Sequence, residues 1–438
     1  MEGLTMGAVA LGGMLALLGC RLHVGVAMMM AGALCYWLVY DGDTHALLYT
    51  LNNLVYARFS SYDLAVIPIF VLMGQFAIHG GLSATLFQAS AKWIGHWRGG
   101  LAMSAAGACA GFGAICGSSL ATATTMSQVA LPELERHRYS KRLATGTIAA
   151  AGTLGILIPP SVPLIVYAVL TNSSITTLFM AAVLPGLLAV AGYFVVIRLL
   201  AVRAMGGVEA SPRYSWAERW ASLRDIAPVL VIFFVVIFGL YGGWANLTEA
   251  ASLGAAACGV YAMWQGMRWP GLAKSLLGTA EASAMIYLVV IGADLLNSGL
   301  ALGQMPTALA DWVLGSGLAP LAILMVVLAI YLVLGCMMDS LSMILLTIPI
   351  FFPIIMQLEL FGLTGPEKAI WFGIVALMVV EIGLITPPMG MNLFIVQKYS
   401  QGATLGTVSR GILPFLGADM VRIAIVVFVP ALSLVWLG

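Results

Sequence analysis

Gly155-Ile156-Leu157-Ile158-Pro159-Pro160 stands inside one long apolar stretch, and Gly383-Leu384-Ile385-Thr386-Pro387-Pro388 stands inside another, 228 residues further on. Paired prolines cannot continue a regular helix, because the ring removes an amide donor and collides with the preceding turn. Each stretch therefore reads as a helix broken in its middle. Backbone carbonyls are left free around residues 153–158 and 381–386. Working outward, further matches keep the same order along the chain. Ser119-Leu120 with Pro132 answers to Ser340-Leu341 with Pro353, and Gly74 with Gly81-Leu82 answers to Gly292 with Gly299-Leu300. Leu184-Pro185 answers to Leu413-Pro414. Several matches in register define an internal repeat.

The surroundings are those of a membrane protein. Of 438 residues, 61% are hydrophobic and 8% charged, with a mean hydropathy of +1.03. A soluble domain carries about 25% charged residues, so a cytosolic enzyme and a secreted domain are both excluded. The formal net charge of +1 leaves no footprint for nucleic acid. Cys20, Cys35, Cys109, Cys116, Cys258 and Cys336 form no CxxC pair and read as small apolar residues. The first residues have no basic segment ahead of their apolar run, which reads as an uncleaved first helix.

A spanning helix needs about 20 apolar residues. Candidates fall near 4–20, 23–40, 63–80, 144–170, 177–199, 226–243, 247–265, 282–299, 369–396 and 415–437. Two stretches, about 99–133 and 318–357, are too long for one helix and carry small polar residues in their middle. Each fits a re-entrant hairpin, tolerated where protein or a water-filled cavity satisfies its tip. The fold expected is an all-α polytopic membrane protein of about ten transmembrane helices plus two hairpins. With the N-terminus outside, Arg21 and the basic residues of 92–98, 136–142, 198–224, 268–274 and 398–410 fall inside. Arg58 and Lys368 fall outside, a strong positive-inside bias. Both termini are then periplasmic. The polar segment 201–225 is a cytoplasmic linker between a first half, 1–200, and a second, 226–438. Five spans per half make the repeat inverted. Inverted repeats with interrupted helices at matching positions are the mark of secondary transporters.

The chemistry gathers at the hairpin tips. One reads Gly117-Ser118-Ser119-Leu120-Ala121-Thr122, the other Asp339-Ser340-Leu341-Ser342. A helix leaving a tip offers free N–H groups to an anion. Hydroxyl and carbonyl oxygens from a tip and its broken helix make a hard-oxygen cage, which suits Na⁺ better than a transition metal. The plainer alternative is that Ser and Thr serve as helix-packing glue and the prolines only kink. Intramembrane acids are costly unless paired. Asp339 is expected to hold or support a cation. Glu381 is expected to serve the same site or to donate to a carbonyl as a neutral acid. Asp294 is expected to cap or pair within the bundle, and Asp419 with Arg422 to form an intrahelical ion pair. Glu249 is expected at the interface. The five histidines form no HExxH spacing. No Walker-type GxxxxGK[ST] occurs, so the chain does not itself hydrolyse ATP. A membrane-embedded hydrolase using Ser118 or Ser119 lacks a histidine base at depth, and a passive channel would show unsaturable, uncoupled flux.

Gly117-Ser118-Ser119, Ala121-Thr122-Ala123-Thr124, Pro132-Glu133-Leu134, Ala149 to Ser161, Met338-Asp339-Ser340 and Ile385 to Asn392 together resemble the large membrane subunit of tripartite ATP-independent periplasmic (TRAP) transporters. The resemblance spans nearly the whole chain. It implies an elevator-type ion-transporter architecture in a bacterial or archaeal inner membrane, and Na⁺-driven import of an organic acid anion. It also implies two partners: a small four-helix membrane subunit and a periplasmic binding protein. Because the chain starts at the first large-subunit helix, that small subunit is expected as a separate polypeptide. Carried onto this sequence, at least two Na⁺ ions would be held. One site would use Ser118, Ser119, Gly152, Gly155 and Ile158; the other would use Asp339, Ser340, Gly383 and Thr386. Substrate would lie near Ser119, Thr122, Pro160, Ser340, Thr386 and Asn392, with no Lys or Arg to clamp it. The competing expectation is a partner-independent Na⁺- or H⁺-coupled carrier of citrate or dicarboxylates from the same superfamily.

Overall fold

A computed structural model describes residues 3–20, 22–203 and 212–437. Among these, the chain is helical throughout. The first half runs α1 (Gly3–Gly19), α2 (Val24–Val39), α3 (His45–Phe59), α4 (Tyr62–His79), α5 (Leu82–Ile94), α6 (Gly100–Cys116), α7 (Ser119–Arg136), α8 (Lys141–Leu157), α9 (Val162–Thr171) and α10 (Ile175–Arg203). The second runs α11 (Trp216–Tyr241), α12 (Leu247–Trp264), α13 (Trp269–Leu302), α14 (Met305–Gly315), α15 (Pro320–Gly335), α16 (Ser340–Gln357), α17 (Gly365–Gly383), α18 (Met391–Tyr399) and α19 (Leu405–Phe428). A single turn, Ala431–Leu434, follows.

Five helices are long and apolar enough to cross a membrane, or up to seven if each of two bent helix pairs counts as one span. One of those pairs is α8 and α9, bent by 41°. The Pro159–Pro160 bond between them is cis, as is Pro387–Pro388 between α17 and α18. Four shorter apolar helices, α1, α2, α6 and α15, complete the apolar set. This is a multi-pass membrane protein, and helix is found within every expected span.

Two boundaries and three extra helices differ from expectation. The last span was expected over 415–437, but α19 ends at Phe428, and Pro430 cannot extend it. The linker expected over 201–225 is shorter, because α10 continues to Arg203 and α11 begins at Trp216. Its segment 204–211 lies outside the described residues. The helices α3, α5 and α14 fall where no span was expected. They are short, and α3 has no buried residue, so an apolar-run criterion passes over them.

The two halves interlock. Helix α2 packs on α13, and α12 packs on α4. Glycines allow the close approach: a β-carbon on Gly292 would sit 2.3 Å from the Gly25 carbonyl oxygen. Small residues at such a seam let backbones meet where lipid offers no hydrophobic drive for association. On the other side, α6 and α7 both pack on α8, while α15 and α16 both pack on α17. Helix α8 also meets α17 and α19. Each broken helix is thus flanked by the helix pair of its own half.

Candidate substrate and ion site

The two tips are local consequences of capping chemistry. Gly117 ends α6 at φ +62°, a conformation that suits glycine. Ser118 is then the N-cap of α7, its Oγ accepting from the Ala121 N–H at 3.4 Å. At the matching position Asp339 caps α16. Its Oδ2 accepts from the N–H groups of Leu341 (3.1 Å) and Ser342 (3.2 Å), and its Oδ1 accepts a short hydrogen bond from the Ser342 hydroxyl. An N-cap oxygen satisfies amides that a helix start leaves unpaired.

Each tip is pressed on its broken helix through glycine. A β-carbon on Gly155 would lie 2.8 Å from Thr122 Oγ1, 3.0 Å from the Ser118 carbonyl oxygen and 3.2 Å from Gly113 Cα. In the second half, a β-carbon on Gly383 would lie 2.6 Å from Gly335 Cα. The carbonyl of Pro160 stands against Gly117. Thr122 is fully buried, its hydroxyl donating to the Ser118 carbonyl at 2.7 Å.

Both tips open on one cavity of about 400 Å³. Ser118 and Ser119 line it from one half, Asp339 and Ser340 from the other, with Gly74 and Gln75 of α4 alongside. No lysine or arginine lines it. The N-termini of α7 and α16 therefore face a common space; the α7 dipole favours an anion there, while the Asp339 carboxylate brings negative charge to the α16 end.

Other expected site residues stand differently. Thr386 does not line the cavity; its hydroxyl donates to the Ile382 carbonyl at 2.7 Å. Asn392 is buried against α8, donating to the Ala149 carbonyl at 3.4 Å, while its Oδ1 lacks a partner. Gly152 packs on Ala123 of α7. Ile158 and Pro159 line a separate apolar cavity bounded by Phe233 and Trp436.

Glu381 requires a correction. It serves neither tip and pairs with a base. Its Oε2 accepts from Arg422 Nη2 at 2.7 Å and its Oε1 from Thr153 Oγ1 at 3.0 Å. The expected Asp419–Arg422 pair is present at 3.0 Å, and Tyr193 donates to Asp419 at 2.8 Å. Sequence distance hid this cluster, since its members come from four helices. Asp294 pairs with Arg58 of α3. Glu249 completes a capping box with Asn246 at the start of α12.

Paired broken helices and capped tips around one cavity are the kind of arrangement secondary transporters use. The family model described as "Tripartite ATP-independent periplasmic transporter, DctM component" matches residues 11–432. The chain belongs to this family and is a large permease subunit of the TRAP type. It is 37% identical over 382 residues to the C4-dicarboxylate TRAP transporter large permease protein DctM of Pseudomonas aeruginosa, covering 86% of this chain and 87% of that one. It is 31% identical to the protein of that name from Rhodobacter capsulatus, covering 87% and 88%. The sialic acid TRAP transporter large permease protein SiaM of Vibrio cholerae is 30% identical, with 85% and 86% covered. Among solved structures, the Alcanivorax borkumensis YdaH transporter superposes with a TM-score of 0.63 at 16% identity, covering 90% of each chain. That likeness speaks for the fold.

Proposed function

We propose that this chain imports a small organic acid anion together with Na⁺, by an elevator movement of the two tips and their broken helices within the remaining helices. The observation that carries the reading is the shared cavity, where helix N-termini from both halves meet without a basic side chain. In such a place the anion's charge is balanced by amide dipoles and by co-bound cations. The oxygen donors fit Na⁺: Ser118, Ser119 and the broken backbone around Gly152, Gly155 and Ile158 in one half, Asp339, Ser340, Gly383 and Thr386 in the other. These are hard ligands with no thiolate or imidazole among them. Ser119 and Ser340, which line the shared cavity, are the residues proposed around substrate, with Thr122 and Pro160 packed directly behind the first tip.

The relatives' names make a C4-dicarboxylate the first substrate to try, with sialic acid next. A small membrane subunit and a periplasmic binding protein complete the system. In the cytoplasmic membrane, both termini face the periplasm, and the halves form an inverted repeat with re-entrant tips. The test is thermal unfolding of the detergent-purified chain across a Na⁺ titration, with K⁺ and choline at equal ionic strength. Specific binding to the folded state raises apparent stability with concentration. A saturable Na⁺-selective rise supports the reading, and identical responses to the three cations overturn the coupling ion.

A further inference from the structure

Arg58, at the end of α3, is held by Asp294 of α13. Its Nε donates to Oδ2 at 2.5 Å and its Nη2 to Oδ1 at 2.8 Å. That bidentate grip uses one edge of the guanidinium. The group carries five N–H donors in a planar fork, so the Nη1/Nη2 edge remains, and among the described residues no other acceptor meets it. Asp294 is nearly buried at 8% exposure, while Arg58 keeps 27%. Arg58 lines a cavity of about 480 Å³ together with Ser61, Asn172, Ser173, Ser174 and Thr176. No carboxylate lines this cavity, and it shares no residue with the cavity between the tips.

We propose that this cavity is a second anion-binding station, in which the free edge of Arg58 receives a small organic carboxylate and the surrounding hydroxyls and Asn172 take its remaining oxygens. Bidentate carboxylate recognition is what a pre-oriented guanidinium does best. Asp294 sets the strength. It fixes the fork and cancels its charge, so the station holds an anion weakly and releases it, as a waypoint must. Its place in transport rests on the reading proposed above; its binding chemistry does not.

Two measurements test it. The first is phenylglyoxal modification of Arg58 in the purified chain, mapped by mass spectrometry, with succinate or uncharged dimethyl succinate present. Succinate should slow labelling about fivefold and the diester should not, because only the carboxylate occupies the fork. Equal labelling rates in both overturn the proposal. The second is succinate uptake by proteoliposomes holding the chain with its small subunit and binding protein. Arg58→Gln with Asp294→Asn keeps the site neutral and avoids a stranded buried acid. It should raise KM about tenfold with kcat within about twofold, the loss of one charge-assisted contact. Asp294→Asn alone should move both downward, since an uncancelled guanidinium holds the anion longer. A wild-type KM in the double variant overturns a role in transport. Protection without any wild-type uptake counts against the import reading, whereas uptake without protection counts against the station.

Discussion

Thr153 of α8 donates a hydrogen bond to Glu381 of α17 at 3.0 Å, and these two residues are separated by 228 positions, the same interval that separates the two Pro-Pro breaks. Each stands six positions before the Pro-Pro break of its own helix, so the contact joins the two broken helices. Around it Glu381, Asp419 and Arg422 are each 4% exposed or less. Two carboxylates face one guanidinium there.

That imbalance makes the variants unequal. Arg422→Ala would strand two buried acids, and removing one partner of a buried pair costs about 3–5 kcal/mol. Glu381→Gln leaves Asp419 with Arg422 as a neutral pair; its amide oxygen can accept from Arg422 while its N–H donates to Thr153 Oγ1, which itself donates to the Ala150 carbonyl, so its cost should be below about 1 kcal/mol. Thermal unfolding midpoints in detergent, read at matched lipid content, compare the two. A larger fall in Glu381→Gln than in Arg422→Ala would contradict this charge arithmetic.

Much of this architecture is legible in the sequence because lipid leaves few options for an apolar run: it must be helical, and Pro-Pro must break it. Hence α6 with α7, α15 with α16, and the breaks after Leu157 and Gly383 fall where the residues place them. The tips are legible as Gly-Ser and Asp-Ser clusters; their opening on one cavity is implied by the family resemblance and not by the spacing. What the sequence hides is partnership across long intervals. Nothing near Glu381 announces Arg422, and nothing near Asp294 announces Arg58. The helix α3 is hidden for another reason, since it lies outside the apolar runs and none of its residues is buried.

The glycine contacts predict which substitutions move the tips. Gly155→Ala would drive a β-carbon into Thr122 Oγ1 and the Ser118 carbonyl, and Gly383→Ala would drive one into Gly335 backbone. Overpacking of this kind costs about 1–3 kcal/mol and shifts the backbone. Both variants should lose substrate uptake while still inserting. Gly417→Ala is the control, because a β-carbon there meets nothing within 4 Å. Uptake by Gly155→Ala at the wild-type rate would show that the tip does not depend on this contact.

Two surface capping boxes give a pH dependence with a definite sign. The Ser215 hydroxyl and backbone N–H hold Glu218 below its ordinary pKa of 4.5, and Thr364 does the same for Glu367. A depressed carboxylate contributes stability that is fully present above its unfolded value and is lost as pH falls through its folded value. Glu218→Gln and Glu367→Gln should therefore lie below wild type in unfolding midpoint at about pH 6 and converge with it below about pH 4. Both sites are exposed, so the differences are small. A gap that widens on acidification would reverse the assignment.

Asp339 has two separable jobs, and two substitutions tell them apart. As an N-cap it accepts from Leu341 and Ser342, a role that asparagine fills about as well as aspartate. As a proposed cation ligand it supplies negative charge, which asparagine lacks. Asp339→Ala should therefore lose the cap, at about 0.5–2 kcal/mol, and also the Na⁺-selective rise in stability. Asp339→Asn should keep the wild-type midpoint in K⁺ yet respond to Na⁺ only at higher concentration. Thermal unfolding in K⁺ reads the cap alone, and the Na⁺ titration reads the charge. If Asp339→Asn matched wild type in both, the carboxylate would be a helix cap, and the search for the ion would move to the Ser118 tip and the backbone beside Gly155.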